Sequence, residues 1–156
     1  AKVRRLRQAC PGIAITTDLI VGFPGETEAD FAQTLELMRE AAFDSAFYFK
    51  YSPRPQTAAA SLPEQVPEEV KAERLARLQA LQEELTLASH RRLLGSVQEV
   101  LVEGASKQGG GQLAGRLRTN QIVNFNGPPS LLGQLVQVEI DQAGRHSVGG
   151  RLLPAG

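Results

Sequence analysis

Two sets of residues in this chain have the types and spacing to do chemistry, one in each half. In the first, Asp18 interrupts a run from Ile13 to Val21 that is otherwise rich in Ile, Leu, Val and Thr. A carboxylate in such a run is costly to bury unpaired, so it calls for a backbone or arginine partner, or for a ligand. Arg54 follows in the stretch Ser52 to Pro67, which holds four prolines. A guanidinium on a stiffened loop can make bidentate contacts to a phosphate or a carboxylate, and Ser52 and Thr57 share that loop. The second set is Lys107, Arg116, Arg118, Asn120, Asn124 and Phe125. Arg116 and Arg118 are two apart, hence on one face of a strand, and Phe125 could offer its ring to an unpaired base. Cations beside an aromatic on one face suit a nucleic acid. The same residues fit a Phe125 packed in a core, with the arginines as solvated edge charges.

The elements that must position these residues follow from the hydrophobic pattern. Residues 1–10 read as the end of a helix with Val3, Leu6 and Ala9 on one side, stopped by Pro11 and Gly12. Ile13 to Val21 reads as a strand covered on both faces, the kind found in parallel sheets. It breaks at Gly22-Phe23-Pro24-Gly25 and passes into a helix from about Thr27 to Ala42, with Thr27 as cap, Asp30 three residues on, and Phe31, Leu35 and Met38 at helical spacing. Asp44 to Tyr51 reads as a second buried strand, so residues 13–51 form one right-handed parallel crossover of an α/β sheet or barrel. The loop after it leaves the carboxyl end of a strand, where ligands of α/β folds gather.

Pro67 opens a long helix with Glu68 and Glu69 at its positive end and a core stripe of Val70, Leu75, Leu78, Leu81 and Leu85, ending near Leu94 and Gly95. Five short strands follow at 97–102, 112–117, 121–125, 135–140 and 147–153, separated by glycine-rich turns. That spacing predicts a small closed barrel of the OB-like kind.

Composition excludes several classes. No apolar run reaches the roughly 18 residues of a membrane span and the first residues carry no signal core, so the chain is expected to be cytoplasmic. Cys10 is the only cysteine, which leaves no intrachain disulfide. His90 and His146 lack partners at ligand spacing, so no metal site is expected. There is no Ser-His-Asp arrangement, P-loop or dinucleotide fingerprint, and no residue here is expected to be catalytic. The net charge of zero divides into −3 over residues 1–90 and +3 over residues 91–156, so a polyanion would sit on the second part, while solvated surface charge explains so small an excess equally well.

Three strings occur together and in order: Thr17-Asp18-Leu19-Ile20-Val21-Gly22-Phe23-Pro24-Gly25-Glu26-Thr27, then Phe49-Lys50-Tyr51-Ser52-Pro53-Arg54-Pro55, then Gly115-Arg116-Leu117-Arg118-Thr119-Asn120 with Val123-Asn124-Phe125. From about Ile13 to Leu153 the chain resembles the methylthiotransferase family of radical S-adenosylmethionine (SAM) enzymes, in its tRNA-modifying, MiaB-like branch. The resemblance implies α/β plus all-β architecture. Residues 1–90 would be the C-terminal portion of a radical SAM partial (β/α) barrel, with a connecting helix at about 67–94. Residues 91–156 would be a TRAM domain, an OB-like five-stranded RNA-binding β-barrel.

By the same resemblance Asp18, Ile20, Gly22, Tyr51 and Ser52 would border SAM, Arg54 would meet substrate or phosphate, and Lys107, Arg116, Arg118, Asn120, Asn124 and Phe125 would contact RNA, a tRNA anticodon stem-loop. The family holds 4Fe-4S clusters, one of them on three cysteines spaced C-x-x-x-C-x-x-C, and Cys10 alone cannot supply such a site. The expectation is therefore the C-terminal part of a longer, monomeric enzyme, starting at Ala1 inside a helix. That enzyme would 2-methylthiolate an N6-modified adenosine beside the anticodon, and this part alone would be inactive. Two alternatives stay open: a non-catalytic RNA-binding module, and the sibling enzyme acting on a ribosomal protein. One departure bears on Thr57. The family has Gly, then after Thr often Pro, where this chain has Gln56 and Ala58, which reshapes the turn if that position needs a positive φ.

Overall fold

The structure is a computed structural model that describes residues 2–107 and 109–154. Ala1, read above as lying inside the first helix, is outside the described residues. The chain divides into two units, Ala1–Leu85 and Thr86–Gly156.

In the first unit, α1 (Lys2–Ala9) precedes β1 (Thr16–Val21), α2 (Glu28–Ala41) and β2 (Ser45–Lys50). β1 and β2 pair in parallel, with Thr16 opposite Ser45, Asp18 opposite Phe47, Ile20 opposite Phe49 and Val21 opposite Lys50. The crossover expected between them is α2. Its start is the predicted one: Thr27 accepts from the Asp30 amide at 3.2 Å while the Asp30 carboxylate accepts from the Thr27 amide at 2.9 Å, a reciprocal capping box. The helix α3 (Glu68–Arg91) follows the proline-rich loop. The core of this unit is Val21, Phe31, Leu35, Met38, Ala41, Phe43 and Leu78.

The two strands are covered on one face only, which corrects the expectation of cover on both. Asp18, Ile20, Phe47 and Phe49 alternate outward and are exposed, with Phe47 66% and Ile20 55% accessible. Asp18 is therefore not the buried carboxylate that the sequence implied, and solvent removes its need for a partner. Leu19 and Val21 take the opposite side, against α2 and α3.

In the second unit, β3 (Val97–Ala105), β4 (Leu113–Leu117), β5 (Ile122–Asn126), β6 (Leu135–Ala143) and β7 (Val148–Leu152) close a barrel in the order β3-β4-β5-β7-β6. All neighbours are antiparallel except β5 and β7. Register shifts at Val102/Gly104 in β3 and Ile140/Gln142 in β6 bend the two longest strands enough to close it. The interior is filled by Val100, Val102, Leu113, Leu117, Val123, Phe125, Val138, Ile140 and Val148. Phe125 is thus fully buried, 0% accessible, and cannot stack on a base. Of the two readings of that ring, the structure shows the core one.

Candidate functional site

Two places gather the predicted residues, one in each unit. In the first, the loop after β1 is shaped by a turn and an ion pair. Phe23-Pro24-Gly25-Glu26 closes with the Glu26 amide donating to the Phe23 carbonyl at 2.9 Å, and Gly25 sits at φ +82° as the third turn residue requires. Glu26 then folds back: its Oε1 accepts from the Gly22 amide at 2.9 Å and from Arg74 of α3 at 2.6 Å. Arg74 also donates to the Glu26 carbonyl at 3.0 Å. The pair is nearly dry, with side chains 6% and 12% accessible.

Lys71, one helical turn before Arg74 and buried, packs its stem onto Gly22, where any Cβ would collide with Lys71 Cγ. Its ammonium donates to the Tyr51 carbonyl at 3.2 Å and lies 5.5 Å from the centre of the Tyr51 ring. Phe23 meets Tyr51 edge-on at 5.3 Å. So Gly22 is glycine because α3 lies against it and its φ is +73°. Glu26, Lys71 and Arg74 were not singled out from the sequence, yet a signal existed: Lys71, Arg74, Leu78 and Gln82 recur at helical spacing and all face inward.

Of the other predicted residues, Tyr51 is half-buried and its hydroxyl is buried with no hydrogen-bond partner among the described residues. Ser52 and Arg54 are exposed. Arg54-Pro55-Gln56-Thr57 repeats the turn pattern of the first loop: the Thr57 hydroxyl donates to the Arg54 carbonyl at 2.8 Å and Gln56 stands at φ +67°. The position does need a positive φ, and a glutamine fills it without breaking the turn.

In the barrel, OB-like folds bind along their second and third strands and the loops joining strands one to two and four to five. Those are β4, β5, residues 106–112 and residues 144–147. A groove of about 340 Å³ lies there, lined among others by Glu103, Lys107, Arg116, Ile122 and His146. Arg116 donates to Glu103 at 3.1 Å and to the carbonyl and side chain of Asn120, each at 3.1 Å. Arg118 pairs with Glu99 at 3.0 Å and its side chain is 86% accessible. Both pairs are exposed and worth about 0–1 kcal/mol, so a phosphate can displace either carboxylate cheaply.

Asn120 is the left-handed residue of the hairpin loop between β4 and β5, at φ +72°, a conformation asparagine tolerates. Asn124 is a structural pin, 7% accessible, accepting from Ser106 at 2.7 Å and donating to Ser147 at 3.0 Å. Both ends of its amide are engaged inside the protein, while the residue still lines the groove. The groove thus brings together Lys107 and Arg116, with Arg118 and Asn120 on the hairpin that carries Arg116. Ile122 and His146 join them; His146 was weighed only as a metal ligand. No group of three or more His, Cys, Asp or Glu is arranged to hold a metal among the described residues.

A five-stranded closed barrel with a cationic groove on this face defines a small OB-like binding domain, and residues 91–153 match the TRAM domain family. Beyond that domain, the chain is 52% identical over 152 residues to the tRNA-2-methylthio-N(6)-dimethylallyladenosine synthase of Syntrophobacter fumaroxidans, covering 97% of this chain and 33% of that protein. The proteins of the same name from Moorella thermoacetica and Legionella pneumophila (strain Corby) are 54% identical over 141 residues and 48% over 156, covering 90% and 98% of this chain and 32% and 34% of theirs. The chain spans about a third of the length of the curated relatives it matches. The likeness to methylthiotransferases read from the motifs therefore extends along nearly the whole chain.

Proposed function

We propose that this chain is the C-terminal part of a radical SAM tRNA methylthiotransferase and that its role is to grip RNA. Residues 91–156 are the RNA-binding TRAM domain in this reading, and residues 1–90, with the connecting helix at 67–94, close a partial (β/α) barrel. The observation that carries it is the cationic groove on the binding face of a TRAM barrel, in a chain about half identical to enzymes named for modifying tRNA. Lys107, Arg116 and Arg118 would neutralise phosphates there. The substrate is a tRNA anticodon stem-loop, modified at an N6-substituted adenosine, and the enzyme acts as a cytoplasmic monomer.

The residues of the first unit fit SAM in part. Ile20 and Phe49, side by side in register and half exposed, offer an apolar platform to a flat ring, with the Asp18 carboxylate on the same face. The orphaned Tyr51 hydroxyl points to a site completed by something else. SAM and the 4Fe-4S clusters supply the radical, methyl and sulfur chemistry when bound, with cluster ligands from outside this chain. What its own residues do is present that apolar face and hold the Gly22–Glu26 loop beside it.

Fluorescence anisotropy of the full chain with an anticodon stem-loop, over a range of salt, tests the grip. Affinity should fall steeply with salt, and Lys107→Ala and Arg118→Ala should each flatten the slope of log K against log salt by about one. Binding that ignores salt, or no binding, would remove the RNA reading. Equal binding of a ribosomal protein would favour the sibling enzyme instead.

A further inference from the structure

Next to the cationic groove, and sharing Asn124 and Ser147 as a common wall, the barrel carries a second and larger cleft of about 670 Å³. That size falls in the range of about 300–1,000 Å³ typical of small-ligand sites. Three side-chain amides line it from three separate places: Gln112 before β4, Asn126 at the end of β5, and Gln142 in β6. None of these amides has a hydrogen-bond partner among the described residues, unlike Asn124 beside them. The floor includes backbone of Gly149 and Gly150. A Cβ on Gly149 would stand 3.1 Å from the Gln142 Oε1, so the glycine leaves that amide its place.

Charge separates this cleft from its neighbour. Arg151 on its rim is held by Glu139 at 2.6 Å, and the hydrogen bond to Glu139, its charge and that of Asp141 raise the guanidinium above its ordinary pKa. Asp141 is the other charged side chain lining the cleft, so it has no net positive charge to draw a phosphate. An uncharged group with paired donors and acceptors fits it, and each amide offers two donors and an acceptor.

We propose that this cleft holds a single unstacked nucleobase, hydrogen-bonded by Asn126, Gln142 and Gln112, while the adjoining phosphates lie in the groove of Lys107 and Arg116. RNA-binding folds read splayed-out bases through such edge contacts, and the shared wall lets one strand enter both sites. The inference rests on the RNA-binding reading above.

The test uses the full chain with a mixed-sequence single-stranded oligoribonucleotide and an oligomer of equal length whose internal nucleotides are abasic, which keeps the phosphates and removes the bases. The protein should bind the base-bearing oligomer about tenfold more tightly, in line with one base contact. Asn126→Ala and Gln142→Ala should each shrink that preference several-fold with the salt slope unchanged, and Gly149→Val, which fills the floor, should do the same. Variants that keep the full preference, or that lose affinity for both oligomers alike, would overturn the base site. Wild-type protein that binds both oligomers equally would overturn it too while leaving the RNA reading in place. Binding of neither oligomer would remove both.

Discussion

The Glu26–Arg74 pair is the residue-scale feature that most controls the first unit, because it ties the loop after β1 to α3 through a nearly dry contact. Taking away one charge leaves the other buried, which costs about 3–5 kcal/mol, whereas replacing both by apolar side chains is close to neutral. Arg74→Met should therefore destabilise the unit by about 3 kcal/mol in urea titration, and the Glu26→Met, Arg74→Met double variant should recover most of it. A double variant as damaged as the single would show that the contact matters for shape rather than charge. Gln56 is the opposite case. Its φ of +67° costs a non-glycine residue about 1–2 kcal/mol, partly offset by the chain entropy that glycine loses, so Gln56→Gly should stabilise by about 0.5–1 kcal/mol. A neutral or negative result would mean that the glutamine side chain holds the turn.

At the scale of elements, the starts of α2 and α3 carry the pH response of the first unit. Hydrogen bonds from Thr27 hold the Asp30 carboxyl below its ordinary 3.8, and hydrogen bonds from Arg77 and from Lys50 hold Glu28 and Glu68 below 4.5. Each folded-state pKa is depressed, so the stabilisation is complete above about pH 4.5 and is lost as pH falls through the lower folded values. Melting followed by circular dichroism at stepwise lower pH should show the first unit losing stability in that window, and Asp30→Asn should blunt the change.

Those caps were legible in the sequence because they are local, as were the crossover and the five barrel strands. Phe125 could have been assigned too, since Val123 and Phe125 alternate inward against Leu113 and Leu117. The single-sided cover of β1 was not legible, because a strand with apolar residues on both faces reads as fully buried whatever lies over it. The ion pairs of Arg116 and Arg118 depend on the register of β3 with β4, and the amide cleft is assembled from β5, β6 and the approach to β4. No local pattern encodes either.

At the scale of the whole chain, the two units face different demands, and protease should tell them apart. The barrel closes on itself, so it has no free sheet edge, and nine buried side chains fill it. The first unit has two parallel strands with Ile20, Phe47 and Phe49 on an open face, and a sheet that small is marginal without further cover. Its long loop from Ser52 to Pro67 contains only the short turn of helix at Ala58–Ser61, and Gln56 and Glu64 are held there at positive φ. Opening in such a unit needs less free energy than global unfolding, and cleavage follows the open population. Limited proteolysis read by mass spectrometry should therefore clear residues 1–85 first and leave a resistant core from about Thr86 onward. Equal resistance of the two units in the isolated chain would show that the open face costs the unit little.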